Sequence, residues 1–463
     1  MDDQTTPAGE ATPLGEETQP DAGAPTAPTP LLEPSGGVPP VITDHAALDE
    51  AIATLIAGTG PIAVDTERAS GYRYGQRAYL IQIAREGAGT ILIDPIPFGD
   101  LTHLGQAIAD AEWILHAASQ DLPCLAEIGM RPATLFDTEL AGRIAGFARV
   151  GLGSMVEQLL GVSLEKAHSA ADWSRRPLPA DWLRYAALDV ELLVQLRDAL
   201  DAELITQGKR EWAAEEFAAL VASDPLAVRA GEAWRRTSGM HTLRARRQLA
   251  VVRSLWLARD ELARELDIAP GRVLPDMAVV AAAARPPLDT QSFTRLPGAG
   301  NRTARAHAQR WVAAVADAIA LPDDDLPVLR VETEGPPPPH RWSDRDPIAA
   351  GRLERARAVV LALSDELAIP AENLVAPDAV RRLAWQPPEI TDSASVAAAL
   401  DASGVRRWQV GLLAGPLADA LNAPPTAKVK PQSPAGEPVA ADEDGPVEAL
   451  AQVDEPAPIP DSP

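Results

Sequence analysis

The sequence predicts an α/β module with a mixed sheet, followed by two all-α helical bundles and flanked by disordered acidic tails. Three observations predict it. Between residues 41 and 145, short apolar runs alternate with amphipathic stretches, the pattern of a layered α/β fold. After Gly208 strand-type runs cease, and Ala-, Leu- and Arg-rich segments with helical spacing fill 210–315 and 345–421. Residues 1–40 and 424–463 are rich in Pro, Gly, Ala, Thr and acids and carry charges of −7 and −6. Such segments bury too little surface to offset lost chain entropy, so both read as disordered tails.

The elements follow in order. A helix spans about 46–57. Ile62–Val64, Tyr79–Ile83 and Thr90–Ile93 read as strands on short connections, hence a meander, and Trp113–His116 as a fourth strand. Helical patterns occupy 98–110, 119–129, 137–145 and 153–160. One long helix is predicted from Pro179 to Ile205, with the proline in the first turn, where a missing N–H costs nothing. The two later segments read as copies of one unit. Asp260-Glu261-Leu262 leads to Pro275-Asp276, as Asp365-Glu366-Leu367 leads to Pro377-Asp378. Pro and Asp suit a helix start; chance resemblance between Ala-rich helices is the plainer alternative. The predicted division is a tail over 1–40, the α/β module over 41–208, a first bundle over 209–320, a Pro- and acid-rich linker over 321–344, a second bundle over 345–423 and a tail over 424–463.

Charge and composition narrow the function. The net charge is −25, of which the part between the tails holds about −12. That excludes bulk attraction to nucleic acid, so a phosphate-binding surface must be a local arginine patch or use metal ions. The single cysteine, Cys124, excludes a disulfide framework and a Cys-rich zinc site, and it fits a reduced, intracellular setting. No basic-then-apolar leader and no apolar run long enough to span a bilayer are present, so a cytoplasmic protein with no membrane partner is expected.

The chemically informative feature is an ordered set of acids. Asp65 and Glu67 close the first strand, and their i, i+2 spacing aims both carboxylates at one face. Asp121 follows the fourth strand. Asp189 lies four residues after Tyr185, so carboxylate and phenol share a helix face. Gathered together, four carboxylates repel one another unless cations sit among them, and hard oxygen ligands suit Mg²⁺ or Mn²⁺. Two such ions can clamp an in-line phosphoryl displacement, with Tyr185 orienting the attacking water. Taken singly, each acid also reads as a cap or a solvated charge.

These residues resemble the ribonuclease D family, within the DEDD superfamily of 3′-to-5′ exonucleases and the subgroup with tyrosine in the third motif. The first motif is Val64-Asp65-Thr66-Glu67 with Tyr74 and Leu80-Ile81-Gln82-Ile83. The second is Leu115-His116-Ala117 through Asp121-Leu122. The third comprises Lys166, Asp172-Trp173, Arg176-Pro177-Leu178 and Tyr185 through Val190. Phe136-Asp137-Thr138 resembles the segment between the last two. The resemblance implies a ribonuclease-H-like exonuclease fold over about 41–205, with Asp65, Glu67, Asp121 and Asp189 as ligands of two divalent cations and Tyr185 beside the attacking water. It also implies that both helical units are HRDC domains, modules that bind nucleic acid. The implied activity is hydrolysis of RNA from a free 3′ end, with tRNA precursors as the family substrate. Single-stranded DNA is the alternative substrate, and a catalytically decayed nucleic-acid-binding scaffold is the alternative outside enzymes. Two departures stand out: Arg68 replaces the usual bulky apolar residue, and Ser70–Gln76 lacks the usual Tyr-Pro. Both border the family's pocket for the terminal nucleotide.

Other residues carry paired readings. Thr66 lies between the first two acids and is a candidate substrate contact. His116 reads either as a contact to the substrate 3′ end or as a strand-end residue bonded to backbone, and Lys166 as a phosphate contact or a surface ion pair. Asp137 suits a helix cap better than a metal ligand, Trp173 a buried plug under the third-motif loop, and Cys124 a small apolar core residue. Residues 229–259 carry a charge of +7 through Arg229, Arg235, Arg236, Arg244, Arg246, Arg247, Arg253 and Arg259 against Glu232. This cluster is a candidate track for the phosphate backbone, and its plainer reading is a set of ion-paired helical faces.

Overall fold

The computed structural model describes residues 27–165, 168, 170–227, 231–331 and 335–424. Lys166, Arg229 and most of both tails lie outside them. The chain enters through β1 (Thr29–Leu31) and β2 (Val41–Ile42), then α1 (His45–Ala57), which Asp44 caps by accepting a 3.0 Å bond from Ala47 N. The meander follows as β3 (Thr59–Arg68), β4 (Ala78–Glu86) and β5 (Gly89–Ile93), antiparallel in register, with Asp65 opposite Gln82 and Glu67 opposite Leu80. Next come α2 (Thr102–Ala107), β6 (Glu112–Leu115), α3 (Leu122–Glu127), β7 (Thr134–Asp137), α4 (Thr138–Ala145), α5 (Leu152–Leu160) and β8 (Val162–Leu164). The main sheet has the order β2-β5-β4-β3-β6-β7, with β2, β6 and β7 joining in parallel. It is therefore mixed, and its apolar residues pack against helices on both faces.

Three differences from the sequence reading have physical causes. Residues 27–40 are part of the fold: β1 pairs in parallel with β8, and Ser35 N donates a 2.9 Å bond to Glu191. The long helix is two, α6 (Ala180–Glu191) and α7 (Leu193–Thr206), because Leu192 leaves helical geometry at φ −104°, ψ 3°. The break lets α6 cover one face of the sheet while Leu193, Leu196, Leu200 and Leu204 of α7 enter the main core. Strands β2, β7 and β8, two to four residues each, are too short for periodicity to reveal.

No strand follows β8 among the described residues. After α8 (Arg210–Ala222), the first helical unit comprises α9 (Arg246–Leu266), α10 (Pro270–Val273), α11 (Asp276–Ala284), α12 (Thr290–Thr294), α13 (Arg302–Ala306) and α14 (Ala308–Ala320). The second comprises α15 (Trp342–Arg345), α16 (Pro347–Leu367), α17 (Ala371–Leu374), α18 (Pro377–Trp385), α19 (Ser393–Ala402) and α20 (Arg407–Asn422). The repeat is visible in the backbone. Each unit has a 21-residue helix ended by a left-handed residue, Asp267 or Ala368, then a four-residue and a nine-residue helix. A tryptophan ahead of each long helix, Trp234 or Trp342, is buried under its own unit.

The two units meet the α/β module differently. The first makes polar contacts: Ala269 N donates to Tyr72 O at 3.0 Å, Arg272 to Gly71 O at 2.6 Å, and Tyr74 Oη to Asp260 at 3.1 Å. The departing segment Ser70–Gln76 is thus the docking loop for this unit. The second unit shares the main core, contributing Ile369, Leu374 and Trp408, whose indole stacks on Trp212 at 5.1 Å and 13°. Lys209 Nζ bridges Ile144 O at 3.0 Å and Leu367 O at 2.6 Å. Gly146 permits the contact, since a Cβ there would lie 2.7 Å from Ala368 O.

Candidate active site

Strand alternation and helix periodicity build the site. Asp65 and Glu67 leave β3 on the face covered by α6, which carries Tyr185 and Asp189 one turn apart. Carboxylate oxygens of Asp65, Glu67 and Asp189 lie within 4.8 Å of one another. Thr66, between the first two, is opposed and bonds elsewhere: its hydroxyl donates a 2.7 Å hydrogen bond to Asp121 Oδ1, just ahead of α3. The four acids and Tyr185 line one cleft of about 790 Å³, together with Arg68, His116, Gln120, Glu165 and His168.

The electrostatics are those of a site short of positive charge. Burial and the neighbouring carboxylates drive Asp65 well above the usual range and push Glu67 up to about 10. Burial raises Asp189 to about 7 and Asp121 to about 6, against lowering hydrogen bonds from Tyr185 and Thr66 respectively. Burial and the same acids raise the Tyr185 phenol, which stays protonated. Crowded hard oxygen donors whose ionisation is this costly fit divalent cations, which remove the repulsion. Gln82, opposite Asp65, is fully buried with neither amide atom bonded.

The supporting residues have defined roles. Asp137 caps α4 through Glu139 N and Leu140 N and also accepts from Ala117 N and Ala118 N, so it braces the second-motif loop. His116 Nδ1 sits 2.9 Å from Thr138 Oγ1, and burial depresses its pKa to about 4. Cys124 is buried beside Thr66, 3.2 Å from its hydroxyl. Trp173 is fully buried, its indole donating to His168 O. Arg176 fixes the third-motif loop by bonds to Asp94, Tyr79 O and Trp173 O.

His168 and Gln120 in the cleft were missed by sequence reasoning. His168 packs edge-on to Tyr185 at 5.8 Å and lies 3.3 Å from Asp181. Its signal was its position inside the third motif, between Lys166 and Asp172.

Most of the described arginine cluster is bonded within its own unit, although only Arg259 is buried. Arg246 donates to Leu326 O and Pro327 O, Arg247 to Leu321 O, Ile319 O and Asp323, and Arg253 to Asp325 O. Arg235 bonds Glu232 and Val328 O, Arg244 bonds His241 O, and Arg259 is buried against Asp276. Residues 321–328 thus lie as a strap along α9. Arg236 is exposed, with neither a hydrogen bond nor an ion pair to any described residue.

Comparison with known proteins completes the picture. Residues 39–205 match the family model described as 3′-5′ exonuclease, and 248–315 match that of the HRDC domain. Residues 335–421 match a different model, the 3′ to 5′ exonuclease C-terminal domain, so the second helical unit is not matched as an HRDC copy. Ribonuclease D of Acidiphilium cryptum is 33% identical over 324 residues, covering 66% of this chain and 80% of the relative. The ribonuclease D of Gluconacetobacter diazotrophicus is 34% identical over 284 residues, 60% of this chain and 71% of the relative. A crystal structure of a Bifidobacterium adolescentis protein superposes with a TM-score of 0.76 at 38% identity, covering 86% of this chain and 100% of that one. Escherichia coli RNase D, described as an exoribonuclease involved in structured RNA processing, gives 0.61 at 27% identity, covering 82% and 98%. The chain belongs to the ribonuclease D family of metal-dependent 3′-5′ exoribonucleases.

Proposed function

We propose that this protein trims RNA from a free 3′ end with two divalent cations, Mg²⁺ or Mn²⁺, held by Asp65, Glu67, Asp121 and Asp189. The observation that carries this reading is the convergence of Asp65, Glu67 and Asp189 oxygens within 4.8 Å in an open cleft, with Asp121 tied to the same strand through Thr66. Ions bound there supply Lewis acidity at the scissile phosphate and a water of lowered pKa. Tyr185, protonated and hydrogen-bonded to Asp189, would orient a water for in-line attack with the ions in place. His116, neutral at working pH, is a hydrogen-bonding contact for the terminal nucleotide. Thr66 acts through Asp121 rather than on substrate.

The substrate class is RNA with a 3′ extension, tRNA precursors first, the exonuclease module over 41–208 cutting while the helical units hold the RNA body. Arg236 suits a phosphate contact in this scheme, whereas Arg235, Arg244, Arg246 and Arg247 serve mainly to hold their own unit together. No described helix is long and apolar enough to cross a membrane, and the one cysteine is buried and free, which fits a reducing cytoplasm.

The test is digestion of a 3′-extended tRNA and a matched single-stranded DNA with Mg²⁺ or Mn²⁺. Stepwise shortening with release of nucleoside 5′-monophosphates, lost in D65N, D189N or chelator, is expected for RNA. Faster DNA digestion overturns the RNA assignment, and full activity of D189N overturns the site.

A further inference from the structure

Arg68 ends β3 directly after Glu67, and a register shift between these two residues turns it away from the strand's regular pattern. Its guanidinium reaches across the cleft floor to the second motif. Nη1 donates to Gln120 O at 2.6 Å, while Nη2 lies 3.5 Å from Gln120 Oε1 and 3.6 Å from Asp121 Oδ1. The Arg68 side chain is 25% exposed and lines the cleft, whereas that of Asp121 is 6% exposed. One oxygen of Asp121 is therefore held from two sides, by the Thr66 hydroxyl and by a permanent cation. Asp65, Glu67 and Asp189 have no comparable ion pair among the described residues.

We propose that Arg68 is a positioning residue, a resident counter-cation that fixes the Asp121 carboxylate beside the other acids and weakens binding of the second divalent ion relative to the first. The inference rests on the two-ion reading above. The asymmetry follows from position. A cation drawing on Asp121 meets a fixed positive charge and an oxygen that already accepts the Thr66 hydroxyl, whereas Asp65, Glu67 and Asp189 offer oxygens with no ion-paired guanidinium against them among the described residues. Full occupancy then depends on the negative charge that a bound phosphodiester brings, so the cleft is completed by its substrate.

The experiment titrates Mn²⁺ into the full-length protein without nucleic acid, reading free ion by electron paramagnetic resonance, for the native protein, R68L and R68K. The native chain is expected to bind one ion tightly and a second more weakly. R68L, without the charge, should bind the second about tenfold more tightly, and R68K should keep the native two-step curve. If R68L does not fold, R68Q, which retains an amide donor and drops the charge, carries the same expectation. As a second readout, the Mn²⁺ concentration for half-maximal RNA hydrolysis should fall in R68L. Superimposable curves for R68L and the native protein overturn the proposal, as does an R68K curve matching R68L. A native protein that binds no Mn²⁺, or a D65N variant that binds as the native does, instead overturns the two-ion reading.

Discussion

The Thr66 hydroxyl donates a 2.7 Å hydrogen bond to Asp121 Oδ1, across 55 residues of sequence. The middle residue of Asp65-Thr66-Glu67 therefore joins the first motif to the second, while its neighbours face α6. Removing that donor isosterically, in T66V, leaves Asp121 less well held. A hydrogen bond to a charged group contributes about 1.5–3 kcal/mol, so kcat/KM on an RNA oligonucleotide should fall roughly tenfold or more, with T66S restoring most of it. Unchanged kinetics in T66V would show that the link does not support the site.

Metal-free stability should fall as pH rises. Asp121 and Asp189 have folded pKa values of about 6 and 7, above those of an unfolded carboxylate. Between the unfolded and folded values the native state binds more protons, so the slope of unfolding free energy with pH is negative there. The melting temperature in chelator should decline from about pH 4 to pH 7, and Mg²⁺ should reverse the decline at the alkaline end. Calorimetric scans with and without ion decide it; a rising chelator curve contradicts the assigned shifts.

His116 stays neutral through the working range, since burial lowers its pKa to about 4. Its ring resonances should show no titration step between pH 5.5 and 8, whereas an exposed histidine titrates near 6.5. Protonation near neutrality would remove the case for a neutral contact at the 3′ end.

Lys209 offers two donors to backbone carbonyls, Ile144 O in the α/β module and Leu367 O in the second helical unit. K209M keeps the aliphatic stem and strands both acceptors at a buried junction. Denaturant unfolding should show a loss of about 2–4 kcal/mol, in a single transition shared by both parts. A separate early transition for the helical unit would mean the junction is not cooperative.

Arg246 and Arg247 pin the strap at 321–328 through its carbonyls and Asp323. In the double alanine variant the strap should become a preferred site of limited proteolysis, cut several times faster than in the native chain. Equal cleavage rates would locate its restraint elsewhere, for example in the burial of Leu326.

The acids were legible in the sequence because their geometry is local: i, i+2 on a strand and i, i+4 on a helix fix which side chains share a face before any tertiary contact is known. The meander was legible for the same reason, its strands being sequential and its connections short. What escaped notice depends on distant partners. Thr29–Leu31 is a strand only because Val162–Leu164 lies beside it, and nothing in Thr-Pro-Leu announces that pairing. The break at Leu192 is set by two different surfaces to be covered, a tertiary demand that overrides helical periodicity. The charge of residues 229–259 was correctly counted, yet a count cannot reveal that four of these guanidiniums, those of Arg235, Arg246, Arg247 and Arg253, bind carbonyls of a strap some seventy to ninety residues away. Arg68 announced itself only as an unusual residue beside Glu67; its contact with Asp121 requires the fold.

The stacking of Trp212 on Trp408, with Ile369 and Leu374 packed into the same apolar interior, bears on how the chain tolerates shortening. A nonsense codon in the Pro336–Pro339 stretch would not release a leaner nuclease; it would strip one wall from the interior that supports the sheet and leave an indole facing water. Trimming by evolution or by design has to stop beyond Leu421, or else rebuild that wall with polar residues.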